Sequence, residues 1–388
     1  MNNKAKLLES DLKLKRLFQS YYINEYIEVP DLLRSREIGF IPFDGSMVRH
    51  RDFHGRQDLK RFLIDITPRH LYHSVAYYEF PTKRSMQEKK WKGAELIFDL
   101  DADHIEGASK MTYEQILDEV KKHTIRLINK FLIDLMGIPG ENIKLFFSGG
   151  RGYHVHVQMD KIYTLDSNAR REISNLVRGE GVTLENLIQV NEGSKQKLNG
   201  WFEIADSEVT DLFSGILQGT KTDILKQIFK KEEILQNYID SLEKTVRFPS
   251  ETIKKIDLFS RSGIEKYKIM NERDFKVANL VAKSKIDSMK CEIDEPVTTD
   301  LHRLIRFPGS LHGKTGLAVT KIPINMLDSF DPLIEAIPKT FLEGQDEIAV
   351  VRPFKIKMRG HDYDLSGNCK VPRYVGIFAV GGKFANYL

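Results

Sequence analysis

The chain has 388 residues, 41% apolar and 29% charged, with a formal net charge of +4. At about 100–200 residues per domain this length predicts two or three structural units, and the small charge excess permits nucleic-acid or nucleotide binding without requiring it. No run approaches the ~18 uninterrupted apolar residues of a membrane span, and the lysine-rich start lacks the apolar centre of a signal peptide, so a cytoplasmic protein without a membrane partner is expected.

From Lys4 to about Glu28, Leu14, Leu17, Phe18 and Tyr21 recur at helical spacing and predict an amphipathic helix packed on the core. Residues 36–78 read as strand-rich, punctuated by Pro42, Asp44-Gly45 and His54-Gly55. Leu96 to Leu100 reads as a buried strand. Apolar residues at helical intervals from Thr112 to Met136 predict a helix stopped by Gly137 and Pro139. Two strands follow, Lys144–Phe147 and Tyr153–Gln158, joined by a glycine-rich turn. Residues 165–288 are rich in lysine and glutamate, with helical patterning at Ile224–Leu242 and Asp274–Val281, and read as a mainly helical subdomain or insertion. The core is expected to comprise 1–164 and 289–388, ending in β-like pieces at Ile348–Phe354 and Tyr374–Val380.

The strand Leu96-Ile97-Phe98-Asp99-Leu100-Asp101 carries its acids at alternate positions. Asp99 and Asp101 therefore share one face, opposite Leu96, Phe98 and Leu100. Their Cα atoms lie roughly 7 Å apart, so the carboxylates can converge on divalent ions about 3.5–4 Å from one another. Isolated acids at a strand end are commonly solvated turn residues; Asp103, past the apolar strand, reads either as such a turn residue or as a support behind the metal ligands. Two acids inside an apolar strand must be desolvated, and like charges this close repel unless a cation sits between them.

In Ser148-Gly149-Gly150-Arg151-Gly152-Tyr153-His154 the glycines let backbone amides approach an anion, and Arg151 offers a planar fork for phosphate oxygens. His154 and His156 share a strand face. His154, nearer the turn, is expected to meet phosphate, while His156 fits a satisfied structural histidine. A Walker loop is excluded because the run lacks that motif's lysine and hydroxyl pair and leads into a strand instead of a helix. Downstream, Arg306, His312 and Lys314 cluster around Pro308-Gly309 and Gly313. A solvated basic loop is the bland alternative for this segment.

Taken in order, the acid pair, the Ser-Gly-Gly-Arg-Gly-Tyr-His turn and the segment from Leu304 to Gly316 resemble the catalytic small subunit of archaeo-eukaryotic DNA primases, of archaeal type. The likeness is clear over roughly residues 30–160 and 290–320. It implies an α+β fold in which a mixed-sheet catalytic core carries a mainly helical inserted subdomain. It makes Asp99 and Asp101 ligands of Mg²⁺ or Mn²⁺ and assigns the third ligand to Asp294, with Asp300 as the nearby rival. It implies that Ser148, Arg151, His154, Arg306, His312 and Lys314 hold the incoming triphosphate, and that Arg36-Glu37 and Arg49 belong to a segment touching nucleotide sugar and phosphates. Members of the family commonly carry a cysteine-rich zinc site after the acid strand. Residues 104–145 here contain no cysteine, so no such site is expected, and His104 and His123 alone cannot rebuild it. The two cysteines, Cys291 and Cys369, are too few for a disulfide framework.

The resemblance implies a nucleotidyltransferase that makes short RNA primers, with DNA as the alternative product, de novo on single-stranded DNA during replication. It would use NTPs or dNTPs and two ions, in a heterodimer with a large iron-sulfur subunit. Two rivals stand beside it. One is a repair or gap-filling polymerase of the same superfamily. The other is a non-catalytic single-strand binding protein, which would have no use for two acids in an apolar strand.

Overall fold

The computed structural model describes residues 3–105, 107–191, 200–217 and 250–388, and its class is α+β. The chain divides into two compact units, one made of 1–174 and 292–388 and the other of 175–291. The expected core boundaries were 164 and 289.

In the first unit, the opening helix Asn3–Asn24 buries Leu14, Phe18, Tyr21 and Tyr22 along one stripe, while Leu17 is half-buried. Two four-stranded sheets carry the chemistry. The first runs in the order Val48–Arg51, Ile38–Ile41, His70–Ser74, Leu304–Arg306; the second runs Thr320–Ile322, Ile143–Phe147, Gly152–Val157, Leu96–Asp101. Every named pairing in them is antiparallel, so the mixing in this fold is of helices with antiparallel sheets and not of strand directions. Strand alternation places Ile97 on the same face as Asp99 and Asp101. Ile97 closes that face in a buried cluster with Val75, Ala76, Tyr78, Ala94, Val297 and Ile305, and beyond it the face opens at the acids.

The expected helix after the acid strand starts at Tyr113, capped by Thr112 in a reciprocal box with Gln115. It widens into π-type turns over Leu127–Leu135 before Gly137, at φ 65°, ends it. Two expectations need correction. The strand-rich stretch 36–78 contains a helix, Arg56–Ile66, whose buried Leu59 and Leu63 lie one turn apart. The β-like piece Tyr374–Val380 is helical, within Arg373–Gly381. Residues 374–381 are all buried, and an element apolar on every side has no periodicity to separate helix from strand. The rest of the tail is β-structure: Gln345–Val350 pairs with Asn368–Pro372 and Ala385–Tyr387, and Phe354–Met358 forms a hairpin with His361–Leu365.

The second unit is helical in its described residues, including Leu184–Asn191, Trp201–Leu217, Ser250–Phe259 and Glu272–Met289. Its interior holds Val209, Phe213 and Phe259 and a buried Lys266–Asp206 pair at 2.8 Å that Tyr267 joins through its hydroxyl. The expected helix at 224–242 lies outside the described residues. No described helix is long and apolar enough to cross a membrane.

Candidate active site

Adjacent strands of the second sheet place Asp99 opposite His154 and Asp101 opposite Gly152. His154 Nε2 lies 3.5 Å from Asp99 Oδ1. Gly152 is required at its position, because an added Cβ would run into the Leu100 carbonyl oxygen. Asp294, 195 residues beyond Asp99 in sequence, is brought alongside by a backbone bond from its N–H to the Asp99 carbonyl at 2.9 Å. Its own carboxylate lies 3.6 Å from Arg303. Asp300 closes its own loop, accepting from the His302 N–H at 2.8 Å.

Burial, then the charges of Asp101 and Asp294, raise the Asp99 carboxyl from its ordinary 3.8 to about 7. The three acids are thus electrostatic neighbours, and their mutual repulsion is what a divalent cation would relieve. Oxygen donors of this kind fit Mg²⁺ or Mn²⁺. Among the described residues, however, no three His, Cys, Asp or Glu side chains are gathered tightly enough to ligate a metal as they stand.

Asp99 and Asp101 open onto a cavity of about 1310 Å³ that Ser148, Arg151, His154, Arg306, His312 and Lys314 also line. The turn is tied down from three sides. Ser148 N–H donates to the Gly152 carbonyl, Tyr113 OH donates to the Gly150 carbonyl at 2.6 Å, and the Thr315 hydroxyl donates to the Gly149 carbonyl. Gly149, at φ 76°, also lets the turn lie against His312, 2.8 Å from where a Cβ would stand. Arg151 is paired with Asp103 at 2.6 Å on the surface of the cleft. Burial, followed by His156 and Arg306 for His154 and by Arg306 and His70 for His312, holds both well below the ordinary imidazole value, so both present neutral rings. Aromatic rings also line the cavity, with Phe354 stacked on Phe384 at 4.6 Å.

Glu37 and Arg49 do not line this cavity. Glu37 is fully enclosed, accepting from both Arg49 Nε at 2.9 Å and Nη2 at 3.2 Å, from the His50 N–H and from Lys89. Burial alone would raise its pKa, but Arg49 and Lys89 hold it below the ordinary value. Its geometry is that of an anchor for Arg49, whose Nη2 reaches on to the His302 carbonyl beside Arg303. His156 is likewise enclosed, bonded through Nδ1 to Glu95 at 2.8 Å, and Glu95 also holds the buried Arg36.

Sequence similarity shows the family. A profile described as DNA primase small subunit matches residues 98–324, a span that contains Asp99 and Asp101, the glycine turn and the basic segment. The chain is similar to the protein named DNA primase small subunit PriS of Picrophilus torridus, 44% identical over 96% of both chains. It belongs to the DNA primase small subunit family. Other relatives of the same name come from Thermoplasma volcanium, 37% identical over 98% of both chains, and Methanococcoides burtonii, 35% identical over 98% of this chain and 99% of the relative.

Within this family member the sequence reading passed over His70 and Lys89. His70 sits in the interior against Arg306 and His312, and Lys89 is buried on Glu37. His70 lies in no glycine-rich or charge-rich run, Lys89 is one of several basic residues between Lys83 and Lys92, and only burial beside charged partners marks the two out.

Proposed function

We propose that the chain is the catalytic subunit of a DNA primase, beginning chains on single-stranded DNA without a pre-existing primer and extending them as short RNA, with DNA as the alternative. The observation that carries this reading is one cavity lined by Asp99 and Asp101, to which Asp294 is tied by a backbone bond, and by Ser148, Arg151, Arg306, His312 and Lys314.

In the reaction a 3′-hydroxyl oxygen forms a bond to the α-phosphorus of a nucleoside triphosphate. The bond from that phosphorus to the bridging oxygen breaks, and pyrophosphate leaves. Asp99, Asp101 and Asp294 would hold Mg²⁺ or Mn²⁺, which when bound would lower the pKa of the attacking hydroxyl and offset charge on the triphosphate. Arg306 and Lys314 supply positive charge to the phosphate chain, and Arg151 adds a fork once it leaves Asp103. Neutral His154 and His312 offer directed N–H groups without adding a charge that burial would oppose. Glu37 fixes Arg49 at the edge of the first sheet. The partner fitting a small subunit is a large, iron-sulfur-bearing one.

Radiolabelled nucleotide incorporation on unprimed single-stranded template, with Mg²⁺ or Mn²⁺ and with or without a large subunit, tests the proposal. Dinucleotides and short chains are expected, and Asp101→Ala should make none while keeping the fold. Incorporation only at pre-existing ends would favour the repair polymerase, and template binding with no incorporation would leave a binding protein.

A further inference from the structure

His70 opens the strand His70–Ser74 and is 7% exposed. Its Nδ1 lies 2.9 Å from Arg306 Nη1 and accepts from the Gly313 N–H at 3.2 Å. An arginine and a backbone amide can only donate, so Nδ1 must carry its lone pair and the ring proton must sit on Nε2. One atom of one side chain thus receives both ends of the basic segment: the guanidinium at its start and the bend at its end.

The surroundings leave this segment little freedom to re-form without His70. Gly313 presses on the chain at Arg69 and His70, where an added Cβ would stand 2.8 Å from His70 Nε2. Arg69 Nε donates to the Gly313 carbonyl at 3.3 Å, so residues 69 and 70 grip both sides of the same residue. The His312 ring meets His70 edge-on at 5.3 Å, and Tyr72, two residues along the strand, lies under Arg306 at 5.4 Å. Arg306 therefore has an aromatic face beneath it and an imidazole nitrogen beside it, which fixes its plane as well as its place. Burial and the cations Arg306, Arg69 and Lys314 hold the ring neutral, with its pKa down at about 3.

We propose that His70 is a positioning residue for nucleotide binding, whose Nδ1 lone pair sets the Arg306 guanidinium and the 312–314 bend in register for one phosphate chain. The inference rests on the reading of the cavity as a nucleotide site. It assigns His70 no contact with the reacting atoms.

Two substitutions separate the lone pair from the bulk. His70→Asn places an amide oxygen near the position of Nδ1, whereas His70→Gln places its amide near Nε2. In metal-dependent incorporation by the full chain, His70→Gln and His70→Ala should raise KM for nucleotide roughly ten- to hundredfold, the loss expected for one hydrogen bond to a charged group, with kcat within about threefold. His70→Asn should recover most of the KM. In an Arg306→Ala background, His70→Gln should add little, because the two losses share one interaction. Equal defects in His70→Asn and His70→Gln, a fall in kcat alone, or additive losses with Arg306→Ala would overturn the proposal. Should His70→Ala fail to fold, the Asn and Gln pair still decides. A wild-type chain that incorporates no nucleotide defeats the primase reading itself, whereas an active wild type with unaffected His70 variants defeats only this inference.

Discussion

Asp99 and His154 face each other across neighbouring antiparallel strands, 3.5 Å between carboxylate oxygen and imidazole nitrogen, yet they do not form an ion pair. The distance alone suggests a salt bridge. Burial, however, keeps His154 well below its ordinary pKa, and burial together with Asp101 and Asp294 lifts Asp99 to about 7. The imidazole is neutral, and Arg306 and Arg303 offset the negative charge of the acids only in part, leaving Asp99 above its ordinary value. That imbalance governs how the site responds to pH and to metal.

In the absence of metal, folding stability should fall as pH rises through the Asp99 titration. A carboxyl whose folded pKa lies above its unfolded value binds more protons folded than unfolded between the two, so stability drops from about pH 4 to about pH 7 and then levels. Each unit is worth about 1.4 kcal/mol, which makes roughly 4 kcal/mol the upper bound for this group. Asp99→Asn removes the ionisation. In EDTA at pH 8 its Tm should exceed the wild type's, the difference should shrink toward pH 5, and primer synthesis should be lost. A variant no more stable than wild type at pH 8 would show that Asp99 is not strained in the folded chain.

Protons and divalent ions should compete for the same carboxylates. Binding of Mn²⁺, read by calorimetry on the full chain, should tighten by up to about tenfold per pH unit below pH 7 and flatten above it, since the deprotonated form is the ligand. Asp294→Asn should weaken Mn²⁺ binding and also lower the Asp99 pKa, because it removes one of the two repelling charges. Binding that is unchanged by Asp294→Asn would place the third ligand elsewhere.

Gly152 tests whether the acids depend on strand approach. A Cβ there would meet the Leu100 carbonyl oxygen and lie 3.0 Å from the Asp101 Cα, so the strands must part for alanine to enter. Gly152→Ala is expected to cost about 3 kcal/mol or more and to shift Asp101. Denaturant unfolding should show a lowered midpoint, with synthesis in the folded fraction well below wild type. Wild-type stability and synthesis would mean the sheet accommodates the methyl group elsewhere.

Much of the site was legible because its parts combine local chemistry with local pattern. Alternation put Asp99 and Asp101 on one strand face, and three glycines in five residues announced a turn before His154. The basic segment was recognisable from Arg306, His312 and Lys314 around two glycine bends, and all three line the cavity. Asp294 followed from the family resemblance, and no local signal chose it over Asp300; a single backbone bond to the Asp99 carbonyl distinguishes them in space. Glu37 was expected near the nucleotide, but it is a buried acid outside the cavity lining, saturated by Arg49, His50 and Lys89, and no sequence pattern shows this because those partners come from separate elements. The helix Arg373–Gly381 was misread because burial on every side erased the period that would have named it. His70 left no trace in the sequence, since its role depends on a loop more than two hundred residues away.

Arg151 and Asp103 offer the last test, because their pairing at 2.6 Å occupies the guanidinium that the phosphate chain would need. The side chains are 40% and 71% exposed, and a pair this open to water contributes about 0–1 kcal/mol. Asp103→Asn should therefore leave Tm nearly unchanged. It should lower KM for nucleotide by up to about fivefold at low salt, since Arg151 no longer has to leave a carboxylate before it can reach phosphate. The gain should fade as salt screens the pair and should vanish in an Arg151→Ala background. A rise in KM instead would mean that Asp103 orients Arg151 toward the phosphate chain and does not compete with it.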